Sequence, residues 1–145
     1  MLTKKSKYAI KAMLFLAKDE ANNLHLISEI SEKEKIPHKF LEAILLELKN
    51  NGLLFSLRGK NGGYKLAKPT TEIFIGNIIR MIDGPLAPIP CVSRLYYQKC
   101  EECIDEKTCE IRGLMKRVRD STVAILDGTS LSELKSGNFV FTDFF

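Results

Sequence analysis

Tryptophan is absent from the 145-residue chain, histidine occurs only twice, and cysteine occurs only between positions 91 and 109. Without indole, the near-ultraviolet region is left clear for any bound chromophore. The two histidines, His25 and His38, lie far in sequence from the cysteines, and no Ser-His-Asp set or carboxylate pair stands out. Hydrolytic and general acid–base enzymes therefore have little to start from. No run reaches the roughly eighteen apolar residues that a membrane span needs. The opening MLTKKSKYAIKAMLFLA has the basic start and apolar stretch of a secretory signal. Lys11 interrupts it, however, and Lys18-Asp19-Glu20 follows with no small-residue cleavage pattern. It is expected to be a buried helix of a cytoplasmic protein. A reducing cytoplasm disfavours permanent disulfides, which leaves metal, cluster and reversible thiol chemistry for the cysteines.

Apolar residues make up 45% of the chain, enough for one packed domain with an additional arm. The net charge of +4 is uneven. Residues 1–68 carry 13 Lys/Arg against 7 Asp/Glu, and residues 69–145 carry 9 against 11. A basic first half points to nucleic acid, with a merely solvated charged surface as the plainer alternative.

Periodicity supplies the architecture. Tyr8, Ala12, Phe15 and Leu16 share one face of a helix over about 4–18. A short helix carrying Ile27 and Ile30 stops near Lys35, and Pro37 starts another, because proline is tolerated in a first helical turn and disfavoured inside. Leu41, Ile44, Leu45 and Leu48 form the stripe of that helix, and Asn50-Asn51-Gly52 closes it. Strands over 53–57 and 64–67 flank the glycine-rich tip Arg58-Gly59-Lys60-Asn61-Gly62-Gly63. A helix-turn-helix followed by such a hairpin is a winged helix. A phosphate-cradling loop is the weaker reading of the glycines, since no Lys-Ser/Thr and no helix follow directly.

Residues 73–82 read as a further apolar helix and PLAPIP as a rigid connector. A long helix then carries Ile111, Leu114, Met115, Val118, Thr122, Ile125 and Leu126 on one side, with Arg112, Lys116, Arg117 and Arg119 decorating the other. Its apolar stripe needs a partner, and the same helix of a second subunit is the simplest. The expected fold is mainly α with a small β-hairpin wing. It divides into a winged helix-turn-helix over 1–84, a cysteine-rich sensor loop over 85–109, and a dimerisation helix with a tail over 110–145. The closing LSELKSGNFVFTDFF is aromatic-rich but too short to be a domain.

In a helix-turn-helix the first turns of the second helix enter the major groove. Those positions are Pro37, His38, Lys39, Glu42 and Ala43. His38 and Lys39 can donate to bases or phosphates, and Glu42 can accept from a cytosine amino group. Arg58 at the wing tip suits the negative potential of the minor groove, and Gly62 and Gly63 let the tip backbone approach closely. Lys4, Lys5, Lys7 and Lys60 are candidate phosphate anchors.

The cysteines follow Cys-x8-Cys-x2-Cys-x5-Cys at Cys91, Cys100, Cys103 and Cys109. The Cys100/Cys103 pair can reach one metal ion without strain. Thr108 or Asp105 is a candidate cap for the long helix, whose N-terminus would favour thiolate at Cys109. Glu101, Glu102, Asp105 and Glu106 oppose this by raising thiol pKa. Four thiols suit an iron–sulfur cluster, tetrahedral zinc, or a metal-free thiol or disulfide switch.

Several stretches together resemble the Rrf2 family of bacterial winged-helix transcription regulators. They are Leu2-Thr3-Lys4-Lys5-Ser6-Lys7-Tyr8-Ala9-Ile10, Ile36-Pro37, Phe40-Leu41-Glu42, the run from Leu48 to Leu53, and above all the wing from Leu57 to Leu66. The resemblance implies a homodimer with crossing C-terminal helices that binds promoter DNA and is not an enzyme. It implies recognition-helix roles for Lys39, Phe40, Glu42 and Ala43 and a minor-groove role for Arg58. Several members hold a 2Fe–2S or 4Fe–4S cluster on three cysteines, matched here by Cys91, Cys103 and Cys109, plus a variable fourth ligand. The histidine that serves the family's cluster regulator falls at Arg112, and the aspartate of its nitric oxide sensor has no counterpart in Ser6-Lys7-Tyr8. Cys100 is thereby the candidate fourth ligand, with 2Fe–2S favoured over 4Fe–4S. The alternative is a cluster-free regulator, like the family's cysteine-metabolism repressor, controlled by a partner protein, a thiol switch or zinc.

Overall fold

The computed structural model describes residues 2–137, so the last eight positions of the aromatic tail lie outside the described residues. Helix α1 (Lys4–Ala17) starts where Thr3 Oγ1 accepts the Ser6 N–H at 3.1 Å. Asp83, at the far end of α4 (Ile75–Asp83), holds Thr3 in turn, accepting from its hydroxyl at 2.5 Å and its N–H at 3.2 Å. Helix α2 (Ile27–Glu34) ends at Lys35, which adopts a left-handed conformation at φ +53°. The reversal is closed by the Ile36 N–H on the Ser31 carbonyl and by Ser31 Oγ on the Ile36 carbonyl. Helix α3 (His38–Asn50) follows, with Pro37 as its N-cap residue.

Leu41, Ile44, Leu45 and Leu48 of α3 are fully buried. Each such side chain contributes about 1.5–3 kcal/mol by leaving water. They meet Ala9, Ala12, Met13 and Leu16 of α1, Ile30 of α2, and Ile75 and Ile78 of α4 in one core. Strands β1 (Leu54–Leu57) and β2 (Gly63–Leu66) pair antiparallel, Leu54 opposite Leu66 and Leu57 opposite Gly63. The helices and strands up to this point lie within a residue or two of their expected bounds, and the hairpin makes the domain a winged helix.

The last elements depart from expectation. Helix α5 (Glu110–Gly128) buries a single residue, and that residue is Arg119. The sequence put Arg119 on the decorated outer face. The long helix instead lies against the Pro90–Val92 turn, and the guanidinium fills that contact. Helix α6 (Leu131–Ser136) returns to the core. Leu131 is fully buried, its N–H donates to the Ile73 carbonyl at 2.7 Å, and the Ile75 N–H donates to the Thr129 carbonyl at 3.0 Å. A Ser130–Glu133 capping box starts α6. Among the described residues no helix is long and apolar enough to cross a membrane.

Candidate nucleic-acid interface and cysteine segment

The exposed side of α3 carries Pro37 at its start, then His38, Lys39, Glu42 and Ala43, opposite the buried leucine and isoleucine stripe. Phe40 is divided between two roles. It is 45% exposed, and its ring meets Tyr8 of α1 edge-on at 5.8 Å between centroids. This contact fixes the start of α3 on α1. Of the lysines near it, Lys4 and Lys7 are exposed, whereas Lys5 is engaged by Glu47 of α3 at 2.6 Å.

Arg58 and Lys60 are exposed at the wing tip. Two glycines shape it. A Cβ on Gly62 would lie 2.2 Å from the Leu57 carbonyl oxygen, and one on Gly63 would lie 2.3 Å from the His25 carbonyl oxygen, with Gly63 at φ +135°. No side chain fits either place without displacing backbone. The wing root is clamped by the residues before α2. His25 and Tyr64 exchange backbone hydrogen bonds at 2.9 and 2.8 Å. The Asn22 amide, on a left-handed residue, donates to the Leu66 carbonyl and accepts the Leu66 N–H.

The His25 ring faces Asp19 at 2.9 Å and Glu29 at 3.1 Å and meets Phe15 edge-on. The His25 hydrogen bond and the Asn23 N–H hold the Asp19 carboxyl below its ordinary value, against opposing burial. At Glu29 burial pushes upward, but the His25 and Lys33 hydrogen bonds outweigh it and the net shift is downward. Sequence reading assigns neither Asn22 nor His25 a part in the wing. The available signal was asparagine itself, which tolerates left-handed backbone and can imitate a peptide edge.

The cysteines lie around the first turn of α5. Cys109 is itself the N-cap, its Sγ accepting the Arg112 N–H at 3.4 Å. Neither Thr108 nor Asp105 takes that role. Asp105 instead accepts the Lys107 N–H, because the carboxylate sits one turn too early to reach α5. Arg112, at the position of the family's histidine ligand, also reaches back with its side chain, Nε donating to the Cys91 carbonyl at 3.3 Å. One residue thus ties the first and last cysteines of the set together. Cys100 and Cys103 share a tight turn, the Cys103 N–H donating to the Cys100 carbonyl at 3.2 Å. Burial pushes the Cys103 thiol up, and Cys109 and Cys100 nearby push it further.

Cys91 is buried, Cys100 is exposed, and Cys103 and Cys109 are intermediate. Among the described residues no three His, Cys, Asp or Glu side chains converge on a common metal position. The soft donors nevertheless fit a thiolate-bound centre. None is in a disulfide, Cys103 lies close enough to Cys109 and Cys100 for them to raise its thiol, and Cys91 is tied to Cys109 through Arg112.

The profile of the Rrf2 family, described as iron-dependent transcriptional regulators, matches residues 2–137. The chain belongs to the Rrf2 family. Over 143 residues this Rrf2-family chain is 43% identical to a Rhodobacter capsulatus protein named as an rrf2-like HTH-type transcriptional regulator, covering 95% of both. It is 32% identical over 133 residues to the HTH-type transcriptional regulator IscR of Photorhabdus laumondii, covering 92% of this chain and 77% of that one. Its fold matches the structure of CymR, the global cysteine regulator of Bacillus subtilis. The TM-score is 0.78 at 29% identity, over 95% of this chain and 98% of that one. The Rrf2-family chain is therefore a winged-helix transcriptional regulator and not an enzyme.

Proposed function

We propose that this Rrf2-family regulator reads operator DNA as a homodimer. We further propose that it takes its signal through an iron–sulfur cluster, 2Fe–2S in preference to 4Fe–4S, held by Cys91, Cys100, Cys103 and Cys109. His38, Lys39, Glu42 and Ala43 read the major groove, with Pro37 and Phe40 setting the angle of α3. Arg58 enters the minor groove, Lys60 engages phosphate, and Gly62 and Gly63 allow the close approach. Loss of Arg58 (R58A) is expected to weaken operator binding by about 1–3 kcal/mol at matched salt. Unchanged affinity would remove the wing from the interface.

Two observations support the homodimer. Ile111, Leu114, Val118 and Ile125 leave an apolar stripe of α5 exposed. Beside it lies a groove of about 580 Å³ lined by Ile10, Ile75, Ile79, Leu86 and Ile125. An apolar surface of this kind is what a symmetric partner helix covers.

The observation that carries the cluster reading is Arg112. Its N–H meets the Cys109 sulfur and its guanidinium the Cys91 carbonyl, so the outermost cysteines are drawn to one helix turn although Arg112 cannot itself ligate. Cys100 then supplies the fourth thiolate. A bound cluster would supply one-electron chemistry and reactivity toward nitric oxide.

The test is anaerobic purification with iron and sulfide analysis. Absorbance between about 320 and 450 nm is expected, and it should fall when Cys100 is changed to Ser. Colourless, iron-free protein would sink the reading in favour of zinc, a thiol switch or control by a partner protein. Undiminished cluster in C100S would remove Cys100 from the ligand set.

A further inference from the structure

Arg119 is a charged residue about nine-tenths buried on a helix whose other residues all stay partly or fully exposed. Nothing in DNA reading or cysteine ligation uses it. Its Nη1 donates to the Val92 carbonyl at 2.5 Å, while Nε and Nη2 donate to Asp120 Oδ1 at 2.9 and 2.6 Å. The same carboxylate oxygen takes Arg94 Nη2 at 3.3 Å. Val92, Arg119, Asp120 and Arg94 thus form a closed ring that fixes residues 92–94 to α5 at two points. Two turns earlier on α5, Arg112 holds the adjacent Cys91 carbonyl. Consecutive carbonyls of the Pro90–Val92 turn are gripped by arginines seven residues apart on one helix.

Beyond Arg119 the fit is not solid. A recess of about 250 Å³ opens there, with Ser93, Arg94 and Leu95 on one side and Arg119, Val123 and Asp127 on the other. Val92 is buried at the contact, and the arginine bonds fix where its backbone sits on α5. Hydrogen bonds from a charged donor are strong and directional, so such a tie holds one geometry or releases it. At its other end α5 is bound to α4, where Arg80 meets both Asp127 carboxylate oxygens at 2.7 and 2.8 Å.

We infer that Arg119, with Arg112 and Asp120, is a positioning relay. It transmits displacement of the Cys91–Arg94 segment to α5, and so couples the state of the cysteine site to the spacing of the two DNA-reading domains. This rests on the proposed sensing role and names the residues that would carry it. The guanidinium touches neither DNA nor a thiol. It acts by making backbone position at Val92 and helix position at Arg119 a single variable.

The test compares wild type with Arg119→Gln. The probe is a DNA fragment selected from a random pool by the cluster-loaded wild type, and affinities are measured with cluster present and after chelator treatment. Wild type is expected to change affinity about tenfold or more between the two states, within the usual range of allosteric coupling. R119Q is expected to change less than about twofold while keeping its iron and sulfide content.

A second readout needs no cluster. In chelator-treated protein, amide exchange at 92–95 should quicken in R119Q while the α3 amides keep their protection. If R119Q fails to fold, Asp120→Asn, which releases Arg94 and weakens the hold on Arg119, carries the same expectations. A variant that responds to cluster removal as strongly as wild type overturns the relay and leaves sensing intact. Loss of cluster from the variant would make Arg119 a support of the cysteine site and also overturns the relay. A wild type whose affinity ignores the cluster overturns the sensing reading and the relay together.

Discussion

The winged-helix core and the segment running from the cysteines along α5 are held by different forces. The core is a set of apolar side chains with almost no exposed surface, contributed by five helices and the hairpin. The cysteine segment is held by guanidinium groups, carboxylates and backbone carbonyls, and its helix leaves Ile111, Leu114 and Ile125 more than half exposed. The first region is complete within one chain. On the proposed reading, the second is completed by a second copy and by whatever the thiols hold. Non-directional burial tolerates little rearrangement at high packing density, whereas polar ties exchange partners at modest cost. A regulator needs both: a reading head that keeps its shape and a sensing arm that does not.

The largest effect belongs to the core. Ile44→Ala removes fully buried methyl groups from the centre of α3, where α1 and α4 converge. A loss of about 2–5 kcal/mol is expected, read as a lowered denaturation midpoint. The same α3 also carries the proposed DNA-reading face, so operator binding should fail at temperatures where wild type still binds. A loss under about 1 kcal/mol would mean that the core repacks and that the contrast between the regions is overstated.

Ile125→Asp probes the other side of the comparison. Ile125 is 64% exposed on α5 and borders the apolar groove. A single chain should fold with unchanged helix content, because the side chain adds little to its own domain. Association should weaken by about a hundredfold or more, since an unpaired carboxylate would be buried at the interface. Sedimentation would then find a monomer that binds a half-site and loses the added affinity of the palindrome. A dimer that survives the change would put the partner on another surface.

How legible each region was in the sequence follows the same division. The α3 stripe, the break at Lys35 and the glycine-rich wing were readable because periodicity and turn chemistry act over a few residues. Leu131 was not. Its place in the core depends on a backbone bridge to Phe74 and Ile73 across more than fifty residues. Arg119 was misread for a related reason. An arginine on a long amphipathic helix is ordinarily solvated, and it takes the Val92 carbonyl opposite and the Asp120 carboxylate beside it to make burial favourable. His25 escaped notice because its partners are scattered along the chain: Asp19 precedes it, Glu29 lies on α2, and Tyr64 pairs with its backbone from β2. The cysteine spacing pointed to a thiol site. That Cys109 caps α5, and that Arg112 links it to Cys91, required the fold.

The smallest expected effect is acid-dependent, and it separates the two kinds of cohesion directly. Hydrogen bonds from Arg119 hold the Asp120 carboxyl below its ordinary value, with Arg94 adding to the pull. Asp19 is lowered by His25. Asp83 is raised by burial but lowered overall by its hydrogen bonds from Thr3 at the start of α1. Each depressed carboxyl contributes stability that is fully present above its unfolded-state value of about 4 and is lost as pH falls through the lower folded value. The aliphatic core has nothing to titrate. Acidification from about pH 5 to pH 3 should therefore quicken amide exchange first at residues 92–94, at the start of α1 and at the His25–Tyr64 bridge. Protection at Leu41, Ile44 and Leu48 should persist until the whole domain unfolds. Exchange that quickens everywhere at one pH would mean that the ionic ties and the apolar core open as one unit, and that the arm has no independent freedom to move.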